Sequence, residues 1–273
     1  MSGFMPVVPA GGMLGWQFLN RTMESQKDAF NRASVQTRDK EYFREKIGSI
    51  TSAEELVADR RLLSVALTAH GLEEDLPNRF FIRTILENAP GDSKGLTGRM
   101  ADKRYAALSE TFGFYDSRGP RTGDAGFADK VLASFQERSF EQVVGESAPE
   151  LRIAMSIERE LTTVIDGAKG NDARWFGVMG SPPLRKVFET ALGLPAKFGA
   201  LDLDRQLDDF KFKARAIFGT DQIADLVEPE HLEELRDRYL IRTEATNTVP
   251  ASPALQILTG TSSSESILSI LYS

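Results

Sequence analysis

The chain has 273 residues and a formal charge of −7, from 33 Lys and Arg against 40 Asp and Glu, with 41% hydrophobic and 27% charged positions. Those ordinary fractions exclude collagen-like and wholly disordered chains, and at ~150 residues per domain the length fits one large domain or two small ones. That is enough chain to bury a core without disulfides or metal staples, and no apolar run approaches the ~20 residues of a membrane-spanning helix.

In chain order the elements read as helices. The first spans about Gly15 to Ala33, where Trp16, Leu19, Met23 and Phe30 form one apolar stripe. Asp39 to Gly48 follows with Tyr42, Phe43 and Ile47. Ser52 and Glu55 have the spacing of a capping box, in which each side chain satisfies an orphan N–H of the first turn. From it Leu56, Leu63 and Leu67 share a face up to Gly71, which supplies the left-handed residue that ends a helix. Asp75 and Pro77 open a helix with Phe81, Ile82, Ile85 and Leu86, and another with Tyr105 and Leu108 ends at Phe112-Gly113. Asp124 begins a helix carrying Phe127, Val131 and Phe135, and Ser139 with Gln142 makes a second capping box. Pro149 suits the first turn of a long helix through Ile165, because its missing N–H has no partner there anyway. Ser181-Pro-Pro183 starts a helix closed by Gly193, and Asp202–Gly219 and Pro229–Thr243 complete the set. No segment alternates as a strand does. The fold class is all-α.

Leu62 to Leu72 aligns with Leu184 to Leu194, with six of eleven positions identical, including the final Gly-Leu. Each copy is followed after a further helix by Phe-Gly, at Phe112-Gly113 and Phe218-Gly219, and Arg79–Thr84 echoes Arg238–Thr243 out of order. The organisation expected is two related helical subdomains, 51–115 and 172–243, joined by longer helices over 124–171. An N-terminal helical arm over 15–50 precedes them, with flexible ends at 1–14 and 244–273. The last thirty residues hold only two charges, Glu244 and Glu265, and many Ser and Thr. Two apolar knots interrupt them: Leu255, Ile257 and Leu258, then Ile267, Leu268, Ile270 and Leu271. A plain linker does not carry such knots, because exposed Ile and Leu invite aggregation.

Absent residues exclude much chemistry. Without cysteine there are no disulfides, thiolate metal sites or cysteine nucleophiles. The two histidines, His70 and His231, are far apart, and His231-Leu-Glu-Glu-Leu235 puts Leu where a metalloprotease helix needs its second histidine. No metal and no cofactor is expected. The acidic cluster of Asp202, Asp204, Asp208 and Asp209 fails as a calcium loop, since Leu207 replaces the required glycine and Lys213 the bidentate Glu. Asp202 as an N-cap, with Asp204 favoured by the helix dipole, accounts for it. Phosphate-cradling loops and a Gly-x-Ser-x-Gly elbow are also missing. The most basic stretch, Arg21 to Lys46, has seven positive and five negative residues, too mixed for nucleic acid. Met1 to Asn20 has no charge, so the basic region of a secretory signal is lacking. The expected location is cytoplasmic, or outside the cell by a route that leaves the N-terminus uncleaved.

Several strings together carry a resemblance: Gly15-Trp-Gln-Phe-Leu-Asn-Arg-Thr22, Tyr42-Phe-Arg-Glu-Lys-Ile-Gly48, Ala58-Asp-Arg-Arg-Leu-Leu63, Ala101-Asp-Lys-Arg-Tyr105, Trp175-Phe-Gly-Val-Met-Gly-Ser-Pro-Pro-Leu-Arg185, Phe188-Glu-Thr-Ala-Leu-Gly-Leu-Pro195 and Phe198-Gly-Ala-Leu-Asp202. Spanning about 15 to 243, the chain resembles the bacterial family catalogued as domain of unknown function twelve-seventeen, whose genes tend to sit within flagellar gene clusters. The resemblance implies a flagellum-associated protein with no established activity and no functional residues to carry over. It makes a flagellar component the expected protein partner and the flagellar route the expected way out. The expected role is non-enzymatic binding, through Trp16, Leu19, Met23 and Phe30 at one end and Leu255, Ile257, Leu258, Ile267, Leu268, Ile270 and Leu271 at the other. The alternative is a carboxylate-dependent hydrolase acting on cell-wall glycan. That needs an inward cleft with two acidic side chains ~5–9.5 Å apart.

Overall fold

A computed structural model describes residues 4–91, 95–100 and 102–248. Among them are thirteen α-helices and no strand: α1 Gly12–Asn31, α2 Ser34–Lys46, α3 Ala53–Ala58, α4 Arg60–His70, α5 Arg79–Glu87, α6 Leu96–Arg99, α7 Arg104–Phe112, α8 Phe127–Ser147, α9 Pro149–Gly167, α10 Asn171–Gly180, α11 Pro182–Ala191, α12 Leu203–Phe218 and α13 Pro229–Thr248. The all-α class stands.

Two hydrophobic cores organise these helices, and α8 belongs to both. Its first half gives Val131, Leu132 and Phe135 to a smaller core with Phe43, Ile47, Leu56, Leu63, Ile82, Leu108 and Phe112. Its second half gives Phe140 and Val144 to a larger core with Trp16, Leu19, Leu151, Ile157, Trp175, Phe188, Phe210 and Leu240. Residues 15–50 divide between the two: α1 packs in the larger core, while α2 sends Phe43 into the smaller one. Trp175 stands edge-on to Phe188 at 5.2 Å and stacks on Phe210 at 5.6 Å, and its indole N–H donates to the Asp221 carbonyl at 2.8 Å. Helix α10, which carries this tryptophan, is absent from the helices read in the sequence.

Several helix boundaries differ from expectation for local reasons. The helix expected to run from Ser52 to Gly71 is two. Ser52 does accept from the Glu55 N–H at 3.2 Å, as a cap should, but Glu55 reaches back to the Thr51 N–H at 2.7 Å. Asp59 then breaks the run by accepting from the N–H groups of Arg61 and Leu62 and from the Tyr42 hydroxyl at 2.6 Å. Conversely, Ser139 caps nothing. It is buried in the interior of α8, which runs on because its apolar face continues from Phe135 to Phe140 and Val144. Asp202 does occupy the N-cap position of α12, yet its carboxylate accepts no capping bond. Gln206 secures that end instead, donating to the Leu201 carbonyl at 2.5 Å.

The repeat seen in the sequence ends in the same hydrogen-bond motif at both copies. Leu72 N–H donates to Leu67 and Gly71 N–H to Thr68; correspondingly, Leu194 donates to Glu189 and Gly193 to Thr190. Gly71 and Gly193 take φ of 70° and 65°, the left-handed conformation that a side chain disfavours. A Cβ on Gly193 would also overlap the Arg242 guanidinium. Gly193→Ala is expected to destabilise the protein by about 1–2 kcal/mol, whereas Gly48→Ala, with nothing within 4 Å and no positive φ, stays within about 0.5 kcal/mol. Urea midpoints at equal m-value measure both.

His70, the last residue of α4, bonds the Ala66 carbonyl through Nδ1 at 2.8 Å and Thr111 Oγ1 through Nε2 at 3.0 Å. Burial lowers its pKa from 6.5 to about 4. The folded protein thus resists a proton that the unfolded chain accepts. Stability is full above pH 6.5 and falls as pH drops towards 4, by about 2 kcal/mol at pH 5. Urea titrations at pH 7 and 5 on the protein and on His70→Asn are expected to show this loss only where His70 is present.

Candidate functional site

Where the two cores meet, a groove of about 560 Å3 runs between the turn after α4, the start of α7, the middle of α8, and α9, with Pro182 and Pro183 at one edge. Four guanidinium groups converge on it. Arg104 donates to the Gly71 carbonyl and pairs with Asp102 at 2.7 Å. Arg152 on α9 pairs with Glu73 after α4, which ties the larger core to the smaller. Arg159 grips both oxygens of the buried Glu141 and lies 3.8 Å from Glu160. Arg138 reaches Glu160 at 3.4 Å.

Burial and the neighbouring Arg159 charge both push the Arg138 pKa down. For Arg159, burial acts the same way, but the hydrogen bond and charge of Glu141 outweigh it and the pKa rises. Glu141 and Glu160 are the buried acids of the groove, and each faces a guanidinium. A carboxyl that acts as a general acid is instead set against an apolar wall. The arrangement is built to hold charges together, and its chemistry is that of a bolt across two helices.

Removing one partner of a buried pair leaves the other uncompensated. Glu141→Ala is therefore expected to destabilise by about 3 kcal/mol, while the paired change Glu141→Leu with Arg159→Met costs much less. Denaturant unfolding of the single and double variants measures the difference.

The residues expected to bind a partner fall in different places. Trp16, Leu19 and Phe30 lie inside the larger core, and Met23 packs half-buried against it. Phe30 meets Phe140 edge-on at 5.7 Å, and Trp16 lies under the Arg236 guanidinium at 4.7 Å. That helix face is covered by the chain's own α8, α9 and α13, so in this structure it offers no open apolar surface. The reason is that a stripe complementary to the second half of α8 is buried there rather than left in water. Leu255, Ile257, Leu258, Ile267, Leu268, Ile270 and Leu271 lie outside the described residues.

At that end of the molecule the start of α1 nonetheless meets the end of α13. At the start of α1, a Cβ on Gly12 would meet Glu244 Oε2 at 2.5 Å, so the first turn of α1 lies against the last turns of α13. Leu14 and Ile241, each within a turn of that junction, are 71% and 54% exposed. Before it, residues 4–11 run back along α1, with the Val7 N–H donating to Gln26 at 2.6 Å. Gln26 was a readable clue. It fills the gap in the stripe Leu19, Met23, Phe30, and a polar residue on an apolar stripe needs a buried partner.

Among the described residues, no three His, Asp or Glu are placed to hold a metal ion, and no helix is long and apolar enough to cross a membrane.

The family described as "Protein of unknown function (DUF1217)" matches residues 69–232, more than half of the chain. The chain belongs to this family. The DUF1217 match contains the whole ionic groove, from Gly71 to Pro183, and leaves α1 and the segment before it outside. In structure the chain is similar to protein AGR_C_984 from Agrobacterium tumefaciens, solved by X-ray crystallography. The two are 25% identical with a TM-score of 0.70, over 89% of this chain and 99% of that one. No curated protein matches this DUF1217 chain in sequence.

Proposed function

We propose that this DUF1217 protein acts without catalysis, by binding another protein during bacterial flagellar assembly or export, either as a chaperone or as an exported accessory component. The observation that carries this reading is the meeting of the first turn of α1 and the last turns of α13 at one place. Gly12 and Glu244 are in contact, Leu14 and Ile241 are exposed beside them, and 25 further residues with two apolar knots follow Thr248. Exposed aliphatic side chains around a junction of two helix ends suit helix-packing recognition. The flagellar assignment comes from the family resemblance. The ionic groove supports binding over hydrolysis, because its two buried carboxylates are engaged by Arg159 and Arg138.

Burying one Leu or Ile in a partner is worth about 1.5–3 kcal/mol. Leu14→Asp with Ile241→Asp is therefore expected to reduce recovery of the co-purifying flagellar component at least tenfold and to shrink the motility halo, with the melting temperature unchanged. A chain ending at Thr248 reports the share of the last 25 residues in the same assays. Unchanged recovery and motility in both would remove the proposal. Fractionating cells and medium separates the chaperone from the exported component.

A further inference from the structure

The segment from Phe4 to Ala10 lies along α1 like a strap, and one side chain reads its backbone. Gln26 is buried; its Oε1 accepts the Val7 N–H at 2.6 Å and its Nε2 donates to the Val7 carbonyl at 3.1 Å. The amide is held in position by Thr22, whose hydroxyl accepts from Nε2 at 2.8 Å and donates to the Phe18 carbonyl at 2.9 Å. Paired in this way, a primary amide offers the strap the donor and acceptor that a neighbouring β-strand would offer. Among the described residues, the strap makes no other hydrogen bond to the body before Gly11.

The strap's geometry is that of an extended peptide. Exposure alternates strictly, with Phe4, Pro6 and Val8 half-buried and Met5, Val7 and Pro9 exposed. Phe4 and Val8 pack on the larger core. Pro6 and Pro9 have no N–H and favour extended backbone, so Val7 is the natural place for the body to read the main chain. Five residues from Val7 to Gly12 span at most about 17 Å, and Gln26 lies about 21 Å up α1 from Gly12. The strap is therefore drawn almost straight, antiparallel to the helix, and the Gln26 side chain covers the remainder.

We infer that the strap is a tethered occupant of a peptide-docking groove. The groove's other occupant is an extended segment of the partner protein. That segment would carry apolar side chains at alternate positions around a residue with a free N–H and C=O. This rests on the partner-binding reading above and names the chemistry of the partner. Two hydrogen bonds and the half-buried Phe4, Pro6 and Val8 hold the strap, and no helix is lost when it leaves. An empty groove takes both Val7 hydrogen bonds from the Gln26 amide and uncovers apolar surface, which an incoming backbone of this pattern satisfies. The exchange also explains how a molecule whose α1 stripe is already buried can still bind through that end.

The test uses the full chain. Val7→Pro removes the N–H that Gln26 accepts, at an exposed position of already extended backbone. A fluorescein-labelled synthetic peptide of residues 2–12 is titrated by anisotropy against the unaltered chain, the Val7→Pro chain, and the chain carrying Val7→Pro and Gln26→Leu. The Val7→Pro chain is expected to bind at least tenfold more tightly than the unaltered one, whose strap competes at the high local concentration of a tether. Adding Gln26→Leu is expected to cancel that gain. Equal affinity in all three, or no binding by Val7→Pro, overturns the inference.

Hydrogen exchange on the unaltered chain gives an independent reading. The Val7 amide is expected to exchange at least 100-fold faster than that of Leu19; equal protection means the strap leaves only on unfolding, and the inference falls. A chain ending at Thr248 identifies the competitor. If truncation alone tightens peptide binding as much as Val7→Pro does, the chain's own last residues occupy the groove and the partner assignment falls; unchanged affinity supports it. None of these measurements uses a flagellar component, so their failure is distinct from failure of the recovery and motility assays.

Discussion

Everything in this fold hangs on one helix giving apolar side chains to two cores in succession, with a charged turn between them. Helix α8 gives Val131, Leu132 and Phe135 to one core and Phe140 and Val144 to the other, so neither core is complete without it. Surrounding helices arrange themselves by which half of α8 they complement. That is why α1 crosses to the larger core although α2, only a turn away in sequence, stays with the smaller. It is also why the ionic groove lies where it does: the middle of α8 is the seam between the cores, and Arg138 and Glu141 stand on that seam.

At the seam, charge does what hydrocarbon does elsewhere. Arg152 to Glu73 reaches across from one set of helices to the other, Arg104 holds the Gly71 carbonyl within the smaller set, and Arg159 locks α9 to α8 through Glu141. Buried ion pairs are seldom a net gain over well-packed aliphatic groups. They are directional, however, and a mispaired arrangement leaves a charge stranded. A seam made of them fixes the angle between two cores more sharply than interchangeable leucines can, a role in specificity rather than in total stability.

Helix type and the ends signalled by glycine or proline were legible from the sequence. Gly71, Gly113, Gly193 and Gly219 each take the left-handed conformation at the foot of a helix, and Pro149 and Pro182 stand at helix starts. What could not be read was competition between two plausible signals. Asp59 looks like any helical residue until Tyr42 and two backbone N–H groups, brought to it by the fold, make it a cap. Ser139 has a capping spacing but sits inside a longer apolar run that overrides it. The groove was half legible. Arg152 and Arg159 stand on the long helix that follows Pro149, but their partners, Glu73 and Glu141, come from other elements and leave no local spacing to find.

From α1 to α13 the chain comes back on itself, because Gly12 lies against Glu244. A short linker across that point would allow the chain to be opened elsewhere and its helices to keep their neighbours, the condition under which circular permutation succeeds.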